Sequence, residues 1–164
     1  MAEPYDDENY EIDNLYHYVY FFEARIMLKI DESEFPIVWL TQIENIENKP
    51  SQADDADDSF IQLEKILDKR SPFIIINTAE FGDKNRHEHS KDEKMKIVLW
   101  LKKNKKNVKK YIIAQIQIVP KEKQGLLLNS FVKTFSKFWG YPMIIVSNKE
   151  QALEKAKSLL EKTQ

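Results

Sequence analysis

The stretch SPFIIINTAEFGDKNRHEHSKDE, residues 71–93, decides the fold. It opens with an apolar run at 72–76 that has no polar alternation, which predicts a central strand covered by protein on both faces. A polar loop follows, and then Ser90 and Glu93 form a capping-box pattern that predicts the start of a helix. A strand that passes through a polar loop into a helix is typical of α/β proteins, whose sites usually lie in such loops.

The residues before this stretch predict a hairpin and a helix. Residues 15–30 and 35–43 are aromatic and β-branched, so they predict two strands joined by a short turn. The polar residues 44–58 are expected to form a connection without regular structure. Ser59 begins a second capping-box pattern, which predicts a helix that runs to Arg70.

The residues after it continue the alternation of strands and helices. The helix that begins at Ser90 is predicted to end near Val108. Residues 111–119 predict a strand whose alternating glutamines favour a position towards an edge or a half-solvated face of the sheet. Three more elements complete the chain: a helix at 122–138 that stops at Gly140, a strand at 142–146 and a helix capped by Asn148. The predicted fold is therefore α/β, with a mixed sheet of about five strands and about four helices in the order ββαβαβαβα.

Composition narrows the class of protein. The 164 residues suit one domain, and 42% hydrophobic with 32% charged residues is ordinary for a globular protein. The net charge of −2 gives no reason to expect nucleic-acid binding. There are no cysteines, which excludes disulfides, thiol catalysis and cysteine-bound zinc, and only three glycines, which excludes a glycine-rich phosphate loop.

The N-terminus differs from the rest of the chain. Residues 1–14 hold six acids and no base, so we expect a flexible acidic arm in front of a single domain at 15–164. This arm lacks the basic and apolar regions of a secretory signal, and no apolar run approaches the length of a membrane span. We therefore expect a cytoplasmic protein.

Four segments besides the opening stretch carry a resemblance to a known family. They are DEKMKIVLWLKKNKKNVKK (92–110), YIIAQIQIVP (111–120), GLLLNSFVKTFSKFW (125–139) and YPMIIVSNKEQALEKAKSLL (141–160). In order and length they resemble STAS-like domains, the sulfate-transporter and anti-sigma-factor-antagonist family, and more closely the small bacterial STAS/SEC14-type proteins. The resemblance implies the fold given above and a non-enzymatic regulatory module that binds a protein partner and needs no cofactor.

In antagonists of this family, a partner kinase phosphorylates a serine or threonine in the loop after the central strand. The resemblance therefore implies Ser90 as the phosphorylated residue, with the loop 82–90 as part of the docking surface. His89 precedes Ser90 and Lys91 follows it, where the family has an aspartate before and a small residue and glycine after. From its position alone, the first explanation of Ser90 is a helix cap, and a phosphate can also be accommodated at such a position.

The helix after this loop carries a second candidate surface. Its segment 101–110 holds six lysines and no acid. Helical spacing places Ile97, Leu101 and Val108 on the side that faces the sheet. The opposite side combines two apolar residues with four lysines, namely Met95, Leu99, Lys102, Lys103, Lys106 and Lys110. Such a side is either a solvated surface, whose lysines suit the helix dipole, or a docking surface for an acidic protein or an anionic membrane.

Two further hypotheses come from the remaining features. The third helix has an apolar stripe that includes Leu128, Phe131, Phe135 and Trp139, which indicates either core packing or a groove for a lipid or another apolar ligand. His87 and His89 lie two residues apart among acids and are weak candidates for a metal site, which needs three or four ligands. An enzyme is the least supported class because no nucleophile–base pair can be named. The leading hypothesis remains the interaction module, alone or as a homodimer.

Overall fold

A computed structural model describes residues 28–42, 54–79 and 91–164 of the protein. It is an α/β structure, and its elements follow the predicted order ββαβαβαβα. The strands are β1 (Leu28–Asp31), β2 (Ile37–Gln42), β3 (Phe73–Asn77), β4 (Ile112–Ile118) and β5 (Met143–Val146). The helices are α1 (Asp54–Leu67), α2 (Lys91–Tyr111), α3 (Leu126–Trp139) and α4 (Lys149–Lys162), and a 3-10 turn (Lys121–Lys123) precedes α3.

The five strands form one mixed sheet in the order β1-β2-β3-β4-β5. β1 and β2 pair antiparallel, as expected for a hairpin, and β2 to β5 are parallel to one another. Each parallel strand lies beside the preceding one, so the three helical crossovers all advance in the same direction. Right-handed crossovers that advance one way place their helices on the same face of the sheet.

The two faces of the sheet are therefore covered unequally. Helices α1, α2 and α3 pack on one face, where Phe73 and Ile75 of β3 meet them in a single apolar cluster. Helix α4 packs on the other face, where its Ala152 and Ala156 contact Ile74 and the rest of a second cluster. Residues 73–76 of β3 are all buried, which confirms the predicted central strand.

The predicted start of the first helix is wrong. Helix α1 begins at Asp54, so residues 54–58 are helical and Ser59 lies inside the helix instead of capping it. This polar run was expected to be a connection because it contains four aspartates and no apolar periodicity. Aspartates are, however, favourable in the first turn of a helix, where they face the positive end of the helix dipole.

The predicted edge position of the fourth strand is also wrong. β4 lies between β3 and β5, and its Gln115 and Gln117 are only 6% and 4% exposed. The Gln117 side-chain amide donates a hydrogen bond to the Ala79 carbonyl oxygen at 2.9 Å. A glutamine with such a partner can be buried at little cost, so its polarity does not mark a solvated face.

Two predicted helix boundaries are confirmed. Gly140 ends α3 in the left-handed conformation, with φ of 85°, and its N–H donates to the Ser136 carbonyl oxygen. Asn148 caps α4, because its side-chain oxygen accepts a hydrogen bond from the Gln151 N–H at 2.9 Å. Glycine adopts the left-handed conformation without steric cost and asparagine supplies a short side-chain acceptor, which explains why the sequence reveals both boundaries.

Candidate functional site

The inner side of α2 fixes this helix on the sheet. Val98, Leu101 and Val108 are at most 3% exposed and belong to the three-helix core. Ile97 is partly buried against the same core. The predicted inner stripe is therefore confirmed, with Val98 as a member that the sequence pattern did not suggest.

Polar and aromatic contacts join one flank of α2 to α1. The rings of Phe60 and Trp100 contact each other at a tilt of 37°, with centroids 4.9 Å apart. The Asn104 side-chain amide donates to a carboxylate oxygen of Glu64 at 3.2 Å and to the Trp100 carbonyl oxygen at 3.0 Å. Lys103 Nζ lies 3.5 Å from the same Glu64 oxygen. Sequence patterns miss this contact because about forty positions separate its partners and neither helix needs it to form.

The outer side of α2 presents one exposed leucine among lysines. Leu99 is 55% exposed, whereas Met95, which was predicted to share this side, is partly buried and so contributes a smaller apolar surface. The four lysines predicted for this side are all exposed. Together with Leu99 they form what we call the basic face: Leu99, Lys102, Lys103, Lys106 and Lys110. Three of these lysines follow Leu99 by three, four and seven residues, which places them on its side of the helix.

Charge is strongly segregated between α2 and the rest of the protein. The helix holds nine lysines against two acids, a net charge of +7. The whole chain carries −2, which leaves −9 for everything outside α2. The near-neutral total therefore conceals one strongly basic element. The neighbouring helix α1 has five acids and one lysine, so the boundary between these two helices is also a boundary between charges.

The carboxyl end of β3 is a hydrogen-bonded corner. The Asn77 side-chain oxygen accepts from the Ala79 N–H at 2.9 Å, and the Thr78 hydroxyl donates to the Leu40 carbonyl oxygen at 3.1 Å. Gln117 donates to the Ala79 carbonyl oxygen. These three side chains use their polar atoms on the backbone and include no acid or base. They position the start of the loop that leads to α2 and do not form a catalytic group.

The loop itself lies outside the described residues, together with His87, His89 and Ser90. The predicted metal and phosphorylation roles of these residues therefore stay predictions. Within residues 28–42, 54–79 and 91–164, no group of three or more histidine, aspartate or glutamate side chains lies close enough to hold a metal ion.

The apolar stripe of α3 is packed into the core. Leu128 and Phe135 are 4% and 2% exposed, and Phe131 and Trp139 are partly buried against the same cluster. The Phe135 ring lies 6.2 Å from the Trp139 ring and 5.3 Å from the Tyr141 ring, between centroids. Burial raises the pKa of the Tyr141 hydroxyl well above its usual value, so this group stays neutral. An apolar ligand would have to separate rings that already contact one another.

A shallow groove of about 230 Å³ lies at the opposite, amino end of the parallel strands. Its walls are formed by the start of β2, the turn before β3 and the end of α4, through Phe35, Pro36, Ser71, Pro72, Leu160, Thr163 and Gln164. None of these seven side chains is an acid, a base or a histidine. The groove therefore offers shape but no ionisable side chain for chemistry.

The comparisons with known proteins add no assignment. No family model, curated protein or solved structure matches the chain. In the part of the chain that the structure describes, each helix is too short or too polar to cross a lipid bilayer. The geometry of α2 is therefore the strongest basis for a functional proposal.

Proposed function

We propose that the protein is a non-enzymatic regulatory module that binds an acidic protein partner through the basic face of α2. The single observation that carries the proposal is Leu99, which is 55% exposed beside four exposed lysines. One exposed leucine is ordinary on a protein surface. A leucine surrounded by charges of one sign is different, because a partner gains from burying it while the lysines select and steer an acidic surface.

The charge of this face argues for a different chain as the partner. In a symmetric dimer the same patch meets itself across a two-fold axis. Two copies of the basic face would then bring eight lysines together, counting Lys102, Lys103, Lys106 and Lys110 in each copy. Like charges in contact disfavour association. A homodimer, if it forms, would use another surface, and the basic face would stay available.

The apolar content of the face argues for a protein more than for a membrane. A helix that lies in a lipid surface buries a broad apolar side in the headgroup region. The apolar side of α2, with Val98, Leu101 and Val108, is committed to the core of the domain. Leu99 alone would enter the lipid, so membrane binding would depend almost entirely on charge.

The resemblance to STAS-like domains supports the same class of function, since antagonists of that family act by binding protein partners. On this resemblance, the proposal extends the docking surface to the loop 82–90, which directly precedes α2. It also keeps Ser90 as the residue whose phosphorylation would alter docking. A phosphate there would add negative charge at the N-terminus of α2 and so change the potential that an acidic partner meets.

The test is a charge-reversal variant with a matched control. Leu99→Glu, Lys102→Glu and Lys106→Glu are combined, and Lys103 is left in place because it lies beside Glu64. The control combines Leu126→Glu, Lys155→Glu and Lys157→Glu. It changes the 87% exposed Leu126 at the start of α3 and two exposed lysines of α4, the helix on the other face of the sheet. Both variants should keep the wild-type melting temperature to within a few degrees, because they alter exposed side chains only.

Quantitative capture from lysate of the native host then separates the two variants. We expect acidic proteins retained by the wild type and by the control to be lost from the α2 variant. Raising the salt concentration should weaken their retention, because screening reduces the charged part of the interaction. Equal capture by all three proteins would remove the basic face from consideration. Binding of the wild type to phosphatidylserine vesicles, without any captured protein, would replace the partner with a membrane.

A further inference from the structure

Residues 1–14 are an acidic segment that lies outside the described residues. We infer that residues 1–14 bind the basic face of α2 in the absence of a partner and thereby compete with that partner. The inference rests on the proposed function, because it assigns regulation to the same surface. It would make the domain a module whose binding face is covered by its own N-terminal arm until a stronger acidic ligand displaces it.

Charge complementarity is the first argument. Residues 1–14 carry six acids and no lysine or arginine, and they also contain Tyr5, Tyr10 and Ile12. This composition matches a face with one exposed leucine and four lysines, because the acids can pair with ammonium groups while a tyrosine or isoleucine covers Leu99. The arm and α2 thus hold complementary charge and complementary apolar groups.

The other described helices are poorer targets for an acidic segment. Helix α1 has a net charge of −4 and would repel the arm. Helix α4 has four lysines and three glutamates, and α3 has two lysines and no acid. Only α2, at +7, combines a high positive charge with an exposed leucine among the described helices. Electrostatic attraction therefore favours α2 over each of them.

The length of chain before β1 is sufficient for this contact. Residues 15–27 separate the arm from Leu28, and 13 residues can span up to about 43–47 Å. The Gln62 side chain of α1 donates to the Ile30 carbonyl oxygen of β1, and Asn104 of α2 donates to Glu64 of α1. α2 is thus the second helix from β1. Since packed helices lie about 8–10 Å apart, the basic face is within reach.

Tethering makes even a weak contact effective. A segment joined to its target by a short linker has an effective concentration on the order of 1 mM. If the isolated arm bound with a dissociation constant of about 0.1–1 mM, it would lower the apparent affinity of an external acidic ligand by about two- to tenfold. Removing the arm should raise that affinity by the same factor, and added salt should reduce the difference.

The direct test uses a spin label on the arm. Because the chain has no cysteine, an Ala2→Cys substitution gives one unique attachment point for a nitroxide in the full-length protein. We expect the oxidised label to broaden the backbone amide signals of Leu99, Lys102 and Lys106 in α2. The amides of Lys155 and Lys157 in α4 serve as the internal control and should change little. Replacing the six acids of the arm by their amides, or adding salt to about 1 M, should abolish the broadening.

Two outcomes would overturn the inference. One is the absence of α2 broadening in the wild-type protein at low salt. The other is equally strong broadening in an isotope-labelled protein that lacks the nitroxide, when it is mixed with a spin-labelled protein that carries no isotope label, which would place the arm on a second copy. Neither outcome affects the capture experiment with the α2 variant. Conversely, suppose that the spin label shows the arm on α2 while the capture experiment finds no protein whose binding depends on the basic face. That result would contradict the proposed function and support the inference about the arm.

Discussion

Leu99 and Leu101 lie two positions apart in α2 and face opposite directions, since they are 55% and 3% exposed. Leu101 belongs to the three-helix core, so Leu101→Ala should lower the free energy of unfolding by about 2–5 kcal/mol. Leu99→Ala should change it by about 0.5 kcal/mol or less, because the side chain is largely in solvent. Urea denaturation of the two variants measures both values. Similar losses for both would mean that Leu99 is also packed.

Gln117 provides a second test at this scale. The residue is 4% exposed and donates to the carbonyl oxygen of Ala79, which is itself 3% exposed. Gln117→Leu keeps the approximate volume but leaves a buried carbonyl without this donor, so it should cost about 1–3 kcal/mol. An unchanged free energy of unfolding would show that water or another donor satisfies Ala79. Equilibrium denaturation is again the measurement.

The same residue shows why sequence periodicity is insufficient for β4. Alternating glutamines indicate a half-solvated strand only when their side-chain amides have no hydrogen-bond partner within the protein. Here the partner of Gln117 is a backbone carbonyl 38 positions earlier in the chain. A pattern within nine residues contains no information about such a partner. Burial of polar side chains by long-range hydrogen bonds is therefore the part of the core that was not predicted.

Among the elements, α4 has a predicted cap that the structure confirms, Asn148, and this cap can be tested alone. Its side chain accepts from the Gln151 N–H at the start of α4. Asn148→Ala should lower the free energy of unfolding by about 0.5–2 kcal/mol, because that N–H loses its acceptor. Asn148→Asp is the matched control and should be nearly neutral, since aspartate keeps the acceptor and its charge suits the helix N-terminus. A neutral alanine variant would contradict the assigned cap.

The order and type of the elements could be predicted because each carries its own periodicity or cap. The error in α1 lies where a run of charged residues replaced those signals. Helix α1 begins at Asp54, in a run of aspartates that resembles a loop in composition. The inner stripe and the exposed lysines of α2 were predicted because these positions share one helical repeat, whereas the buried Val98 and the partly buried Met95 were not placed correctly. The contact of Lys103 and Asn104 with Glu64 of α1 was not predicted, because it depends on how the two helices are placed on the sheet.

At the scale of the whole molecule, the loop 82–90 carries the two histidines of the metal hypothesis. His87 and His89 have no cysteine to complete a zinc site, and a stable site requires three or four ligands. We therefore expect elemental analysis of the full-length protein, after dialysis against metal-free buffer, to find much less than one equivalent of zinc. A full equivalent that disappears in the His87→Ala, His89→Ala variant would reverse this prediction and favour a metalloprotein.

The last prediction concerns the arm and the domain together. A truncated protein that starts at Leu15 should fold, because residues 1–14 hold six acids and show no apolar periodicity that would bury them in the core. If the arm contacts the basic face of α2 through exposed ion pairs, it contributes about 0–1 kcal/mol. For a protein of this size, that loss lowers the melting temperature by at most about 2–4 °C. The difference should vanish in about 1 M salt, where surface charges are screened.

The salt dependence separates a contact of the arm through charges from a contact through apolar groups. Thermal unfolding of the full-length and truncated proteins, each at low and high salt, is the measurement. A much larger drop that persists at high salt would mean that the arm packs through apolar contacts as part of the domain. Equal melting temperatures at both salt concentrations would still fit a dispensable arm, because a weak tethered contact can regulate binding while adding little to stability. The stability of the domain would then come from the two apolar clusters on the faces of the sheet. The arm would affect only the binding of acidic partners to the basic face of α2.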